Sequence, residues 1–231
     1  VDIVNSMAQA ALEAGVSIVT GDTKVVEKGH GDGLFISTSG LGEKIPGTCV
    51  SGKSAKPGDI VLVTGTMGDH GITILSQREG LGFEAQVQSD TPPLNHITEA
   101  LLTALGEQVH VLRDPTRGGL ATTLNEIAAQ SKVSIEIDEQ AVPIHPAVAS
   151  ACEFLGLDPL YIANEGKLIV IVEEDVAQEA LSIIRSCKYG ENAAVIGRVS
   201  SEQPGFVSMK TAIGGKRLVD WLNSDPLPRI C

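Results

Sequence analysis

The sequence predicts an α/β or α+β fold, in which short strands alternate with amphipathic helices. The apolar run at residues 59–65 is too short for a helix and is bounded by glycines, and residues 167–172 form a second strongly apolar run, so each indicates a buried strand. Segments with helical periodicity lie between runs of this kind along the chain. This alternation is typical of a sheet that is covered by helices.

The first part of the chain begins as a helix and continues as predicted strands. Ile3 and Met7 lie at helical spacing within residues 1–14, and Gly15 is a natural C-cap. Residues 16–19 and 34–38 are each β-rich. The chain starts without methionine and already inside the helical pattern, so we expect its natural N-terminus to lie further upstream.

The remainder of the chain is predicted to form a larger set of elements. Further strands are expected at residues 109–112, 134–138 and 193–199, and helices at residues 72–77, 92–105, 120–130, 145–154 and 176–186. Residues 40–58 are rich in Gly, Ser, Lys and Pro, so we place a domain boundary near residues 46–56. The predicted divisions are 1–52, 53–224 and a tail at 225–231.

Charge and composition exclude several classes of function. The formal net charge is −12, from 17 Lys and Arg against 29 Asp and Glu, which argues against a nucleic-acid surface or binding to an anionic membrane. No apolar run approaches the length of a membrane span. An acidic protein can still bind a phosphate ligand where cations, backbone N–H groups or Mg²⁺ make the local electrostatic potential positive.

The four cysteines are far apart in the sequence and form no C-x-x-C motif. This spacing argues against a disulfide framework or a zinc site. Cys49, Cys152 and Cys187 lie within or beside apolar segments and are predicted to be small core residues. We expect the compartment to be the reducing cytoplasm.

The fourth cysteine, Cys231, is the last residue of a tail that carries Pro226 and Pro228. Proline fixes φ and lacks an N–H donor, so the tail is predicted to be extended. Seven extended residues reach roughly 23 Å, far enough to carry a thiol from one pocket to another. The alternative is a frayed terminus that happens to end in cysteine.

A short polar motif follows the first predicted strand. Asp22 and Lys24 lie two residues apart and therefore share one face of a strand. A carboxylate that holds Mg²⁺ beside an ammonium that faces phosphate is suited to phosphoryl transfer. An ordinary surface Asp–Lys pair explains the same pattern.

A second motif, residues 113–119 (RDPTRGG), directly precedes a predicted helix. Its paired glycines leave helix N–H groups open to an anion, and Arg117 supplies a positive charge. In the alternative, Asp114 is the N-cap of the helix and Arg117 is solvated. No P-loop motif occurs in the chain.

Two further motifs contain titratable side chains. Glu165, in the sequence Asn164-Glu165-Gly166, enters a buried strand, where a carboxylate can have a raised pKa and act as a base. An exposed turn residue is the alternative. Asp69 and His70 lie between glycines. His70 could titrate or donate a hydrogen bond, but helix capping or turn formation explains the presence of these residues equally well.

Together these motifs resemble an ATP-binding superfamily. They occur in the order Gly21–Val26, Gly65–Gly71, Arg113–Gly119 and Ala163–Gly166. The order is similar to that in the superfamily of aminoimidazole ribonucleotide synthetase, selenophosphate synthetase and thiamine-phosphate kinase. The ending Pro228-Arg229-Ile230-Cys231 narrows the resemblance to the HypE family of hydrogenase maturation proteins.

The resemblance implies a fold and an activity. The fold would be part of an N-terminal ATP-binding α/β domain, with its upstream half absent, followed by a C-terminal α/β sandwich domain with a mixed sheet. The partner HypF would carbamoylate Cys231, and ATP-dependent dehydration would convert the product to a thiocyanate. The cyanide would pass to iron on a HypC–HypD scaffold for nickel–iron hydrogenase. The full-length family is dimeric.

The resemblance also implies roles for single residues. Glu165 would be the base, Lys24 would neutralise charge on the transferring phosphate or polarise the carboxamide, and Asp22 would hold Mg²⁺. The nucleotide or the tail would be lined by four lesser candidates: Asp114, Thr116, Arg117 and Asn164.

Two other functions remain open from the sequence. A sister kinase or synthetase would act on a free small molecule, but it gives the terminal cysteine no evident use. A non-catalytic module would only present its tail to partner proteins, but this function leaves the motifs of the ATP site without an evident use.

Overall fold

The computed structural model describes residues 1–31, 33–79 and 91–222. The chain divides into two compact units, one from Val1 to Pro46 and one that begins at Gly47. Cys231 and the rest of the predicted tail lie outside the described residues. The division predicted at residues 52 and 53 stays a prediction.

In the described part of the first unit one helix forms, α1 (Asp2–Ala14), which ends at Gly15 in the left-handed conformation (φ 66°). The strands expected at residues 16–19 and 34–38 are not formed. A strand needs a second strand to accept and donate its backbone hydrogen bonds, and the described part of this unit supplies none. The β-rich pattern in these segments therefore has no pairing here.

The second unit is a sheet with helices on its faces. Its helices are α2 (Asp69–Glu79), α3 (Asn95–Leu105), α4 (Gly119–Ser131), α5 (Pro146–Leu155) and α6 (Ala177–Ser186). Its strands are β1 (Ile60–Val63), β2 (Val109–Arg113), β3 (Ser134–Asp138), β4 (Ile169–Val172), β5 (Ala194–Ser200), β6 (Val207–Lys210) and β7 (Lys216–Leu218). No helix in the described ranges has both the length and the apolar character that a membrane span requires.

The seven strands form one mixed sheet in the order β2-β4-β1-β5-β3-β6-β7. All neighbours are antiparallel except β3 and β6, which run parallel. The predicted α/β fold with a mixed sheet is thereby confirmed for this unit.

The central strands are buried on both faces, with successive side chains in two different cores. Val61 and Val63 of β1 belong to the core that contains Leu120 and Leu124 of α4. Leu62 belongs to the opposite core, which contains Leu101 of α3 and residues of α6. This alternation is the period-2 geometry of a strand, and it produces a sheet sandwiched between helices.

Three loops meet at one edge of this sheet. Strand β4 lies between β1 and β2 and is antiparallel to both, and Ile169 at its start is in register with Val63 and Arg113. The carboxyl ends of β1 and β2 therefore lie beside the amino end of β4. The motifs around Gly68, Thr116 and Asn164 follow or precede these ends.

The prediction that three cysteines are core residues holds for one of them. Cys152 is buried, Cys187 is half-buried and Cys49 is exposed. Cys49 lies in the segment that precedes β1, where only short turns form and no helix or strand covers it. Burial, with a smaller contribution from Asp158, raises the pKa of the Cys152 thiol to about 11.

Candidate active site

Asn164 connects the three motif loops. Its side chain is 1% exposed, and its Oδ1 accepts a 2.6 Å hydrogen bond from the backbone N–H of Gly68. Its Nδ2 donates to the carbonyl oxygens of Pro115 at 3.1 Å and Ile162 at 2.9 Å. The backbone N–H of Asn164 also donates to Pro115 O, at 3.2 Å. One buried amide therefore fixes the relative positions of the three loops.

Close backbone approach strengthens the same junction. A Cβ on Gly119, the first residue of α4, would lie 2.5 Å from Ile162 O and 2.6 Å from Leu160 O. A Cβ on Gly71 would lie 2.5 Å from Cγ2 of Ile162. Both helices, α2 and α4, can approach this loop because glycine stands at these positions. The sequence analysis assigned the glycines of the second motif to ligand approach, whereas here Gly119 makes room for the protein's own backbone.

Glu165 is half-buried, and among the described residues its carboxylate has neither a hydrogen-bond partner nor an ion-pair partner. It is presented between two fixed points of backbone. Asn164 lies on one side, and on the other Leu168 N–H donates to Thr64 Oγ1 at 3.0 Å, while Thr64 N–H donates to Leu168 O at 3.0 Å. A carboxylate with no partner in the described part of the chain is available to accept a proton from a bound group.

Lys167 is a residue that the sequence analysis missed. Only 9% of it is exposed, and its side chain lies along Gly65, where a Cβ would be 2.9 Å from Cε and 3.5 Å from Nζ. Its ammonium group therefore lies beside the loop that follows β1. The one signal in the sequence is a lysine at the start of an otherwise apolar run, which was interpreted only as the beginning of a strand.

The loop before α4 presents a cation beside an uncapped helix end. The N-cap residue is Gly118, and no side chain caps the helix, so the alternative in which Asp114 caps it is wrong. Arg117 is exposed and has no ion pair to another described residue. Thr116 is half-buried, and its carbonyl accepts from Gly119 N at 3.2 Å.

Asp114 is instead paired with its neighbour. Arg113 Nη1 lies 2.6 Å from Asp114 Oδ1, and Arg113 Nη2 lies 3.2 Å from Glu126 Oε2. Desolvation alone would lower the pKa of the Arg113 guanidinium, but hydrogen bonds and charge from Glu126 and Asp114 outweigh it and raise that pKa. This network engages the guanidinium of Arg113 in ion pairs, whereas Arg117 has none to a described residue.

Asp69 begins α2 and is 7% exposed. The hydroxyl of Thr66 donates to its Oδ2, while its Oδ1 is buried without a hydrogen-bond partner in the described part of the chain. His70 is 8% exposed. Both residues are thus buried in the first turn of α2, directly after the loop that Asn164 holds.

Asp22 and Lys24 belong to the first unit, and both are exposed. Asp22 Oδ1 accepts from Thr23 N at 2.8 Å. Within residues 1–31, 33–79 and 91–222, no group of three or more His, Cys, Asp or Glu side chains could hold a metal ion. A single exposed carboxylate such as Asp22 fits Mg²⁺ only if water and phosphate oxygens supply most of the ligands, as is common for this ion.

Comparison with known proteins identifies the family. Residues 56–210 match the model of the C-terminal domain of AIR synthase related proteins. The carbamoyl dehydratase HypE of Azotobacter vinelandii is 56% identical over 229 residues, a match that covers 99% of this chain and 67% of that protein. The chain belongs to the HypE family of carbamoyl dehydratases.

Solved HypE structures agree with this fold. A crystal structure of HypE in complex with ATP superposes with a TM-score of 0.89 at 50% identity, covering 100% of this chain and 70% of the other. HypE in a complex with HypF gives a TM-score of 0.86 at 48% identity, covering 96% of this chain and 72% of the other. The chain thus spans about two thirds of the length of its HypE relatives.

Proposed function

We propose that the complete protein catalyses the ATP-dependent dehydration of an S-carbamoyl group on Cys231 to a thiocyanate. One observation in the structure carries the proposal: Glu165, a half-buried carboxylate with no bonding partner among the described residues, lies on backbone that is anchored at Asn164 and at Leu168. Membership of the HypE family supplies the reaction for which such a base is needed.

The reaction removes one water molecule from the carboxamide at the expense of ATP. The γ-phosphoryl group passes to the carboxamide oxygen, the C–O bond then breaks as phosphate leaves, and the nitrogen loses both protons. S–C(=O)NH₂ becomes S–C≡N, and ATP becomes ADP and phosphate. An amide oxygen is a poor leaving group and phosphate is a good one, so the chemistry needs phosphorylation and a base. Glu165 is the proposed base.

Positive charge is required where the phosphoryl group moves. We assign this role to Lys24 and the holding of Mg²⁺ to Asp22, both of which are exposed in the first unit. Mg²⁺ would neutralise charge on the phosphate oxygens when it is bound. Arg117, exposed beside the uncapped start of α4, would contact an anionic group of the nucleotide.

Three lesser candidates remain proposals with different support. Thr116 lies beside Arg117 and would line the same pocket. Asp114 is paired with Arg113, so its contribution would be to hold the loop. Asn164, proposed from the sequence to line the nucleotide or the tail, is buried and donates both of its side-chain N–H groups to protein carbonyls, which argues against direct contact with the nucleotide.

The proposed partners follow from the family. The solved HypE–HypF complex supports HypF as the donor of the carbamoyl group. We also propose the HypC–HypD scaffold as the acceptor of cyanide for nickel–iron hydrogenase, a homodimer for the complete protein, and a cytoplasmic location.

The mass of the C-terminal peptide tests this function. After incubation with HypF, carbamoyl phosphate and ATP, the peptide should first gain a carbamoyl group and then lose the mass of one water. Cys231→Ala should show neither change, and Cys49→Ala, which removes an exposed thiol elsewhere, should behave as wild type. Water loss in Cys231→Ala would overturn the proposal.

A further inference from the structure

We infer that Asn164 is a positioning residue for the dehydration step and not a ligand of the nucleotide. The inference rests on the proposed function, because it concerns how Glu165 is held for that reaction. It assigns to one side chain the task of keeping three loops, and the base between them, in a single arrangement.

Three of the four hydrogen-bonding positions of the amide are used within the protein. An asparagine side chain has two N–H donors and a carbonyl oxygen with two lone pairs. Both donors are used, by Pro115 O and Ile162 O, and the oxygen accepts from Gly68 N. Because the residue is also only 1% exposed, a nucleotide would have to displace these bonds to reach it.

The three bonds act directly on the backbone that carries Glu165. Adjacent Cα atoms are about 3.8 Å apart, so the position of Asn164 fixes one end of the Glu165 peptide. The reciprocal bonds between Thr64 and Leu168 anchor the backbone again three residues after Glu165. The Glu165 side chain has no bond of its own to a described residue, so its carboxylate is placed by these two backbone anchors.

The requirement is for an amide and not merely for a polar residue of this size. Aspartate at position 164 could still accept from Gly68 N. It could not donate to Pro115 O or Ile162 O, and its second oxygen would face these two carbonyl oxygens at about hydrogen-bond distance. The loops would separate or shift, and a displacement of about 1 Å at a reacting group costs up to a hundredfold in rate.

Asn125 provides a matched control within the same chain. It is 3% exposed, and its Nδ2 likewise donates to two backbone carbonyls, Ala121 O and Val219 O, each at 2.9 Å. It lies in α4 and contacts none of the three loops through these bonds. Asn125→Asp therefore imposes a similar defect on folding without altering the anchor of Glu165.

The test compares Asn164→Asp and Asn125→Asp in the complete protein with carbamoylated tail. We expect Asn164→Asp to slow water loss about 10- to 100-fold at saturating ATP, with the KM for ATP changed less than about twofold. Asn125→Asp should retain the wild-type rate of water loss. The midpoint of its unfolding should nevertheless fall by about as much as that of Asn164→Asp. Asn164→Ala, which introduces no charge, is assayed in parallel in case aspartate prevents folding.

Two results would overturn the inference. One is a raised KM for ATP with an unchanged maximal rate in either Asn164 variant, which would make Asn164 a nucleotide ligand. The other is an equal loss of rate in Asn125→Asp, which would reduce its role to general stability. Failure of the proposed function is a separate result, because the wild-type protein itself would then lose no water from its tail.

Discussion

The side-chain oxygen of Asn164 accepts a 2.6 Å hydrogen bond from the backbone N–H of Gly68, a residue 96 positions earlier in the chain. The bond joins the loop after β1 to the loop before β4 at a buried point of the sheet edge. Glu165, the proposed base, is the next residue. The position of the proposed base is therefore set by contacts between distant segments of the chain.

Arg117 is predicted to serve binding and not folding. Because it is exposed and has no ion pair to a described residue, Arg117→Ala should change the free energy of unfolding by less than about 0.5 kcal/mol. It should weaken binding of an ATP analogue about tenfold, the typical loss of a charge-assisted hydrogen bond. Calorimetry measures both. Arg113→Ala is the control, and an equal loss of affinity there would argue against a specific role for Arg117.

Gly119 is predicted to be indispensable for the packing of α4 on the Ile162 loop. In Gly119→Ala the new Cβ would meet two carbonyl oxygens at 2.5 and 2.6 Å, at a φ of 60°. We expect a loss of about 3 kcal/mol or more in urea unfolding. Gly156 has a similar φ of 68°, but no atom lies within 4 Å of a Cβ at this position. Gly156→Ala should therefore lower the free energy of unfolding by only about 1 kcal/mol. Equal losses would contradict the close packing at Gly119.

Cys152 is predicted to make the folded protein less stable as the pH rises into the alkaline range. Burial raises the pKa of its thiol from 9.0 to about 11, so the folded state binds this proton more tightly than the unfolded state does. The contribution is complete below pH 9.0 and is lost as the pH rises to about 11, by roughly 2 to 3 kcal/mol. Urea unfolding of wild type and Cys152→Ala across this range measures it. If the difference in free energy of unfolding between the two proteins stays constant with pH, burial does not shift the pKa of the thiol.

Asp59 is predicted to support the fold without affecting the reaction. It is 3% exposed, and its Oδ2 lies 2.7 Å from both His110 Nδ1 and Lys56 N. Asp59→Ala would leave these groups without their acceptor, so the free energy of unfolding should fall by about 3 kcal/mol. The rate of water loss should not change below the unfolding transition, since Asp59 precedes β1 and the site follows it. Glu174→Ala, which breaks an exposed ion pair with Arg198, is the control and should cost less than about 1 kcal/mol.

Local patterns in the sequence were sufficient for most elements of the second unit. Strand β3 has the predicted bounds, 134–138, because its apolar and polar residues alternate strictly. Helix α4 was predicted to within one residue at each end. The strands expected at residues 16–19 and 34–38 are not formed. A strand needs a neighbouring strand to pair with, and the residue pattern of one segment does not show whether such a partner exists.

The candidate site was predictable only as a set of motifs. Glu165 and Arg117 could be proposed from the sequence because the motifs around them are distinctive, and their roles stay predictions. The role of Asn164 depends on partners 96 and 49 residues away, and the burial of Lys167 against Gly65 likewise arises from the pairing of β1 with β4. Such contacts are consequences of topology, and no local pattern specifies them.

The most direct test of the account is a single-turnover measurement on complete protein with a carbamoylated tail, comparing wild type with Glu165→Gln. Glutamine keeps the size of the side chain and cannot accept the amide proton as a base. HypF should still carbamoylate Cys231 in the variant, and the tail peptide should then keep its carbamoyl mass after ATP is added. Glu179→Gln, an exposed change on α6, should lose water as wild type does. Water loss at the wild-type rate in Glu165→Gln would contradict the assignment of the base on which the account rests.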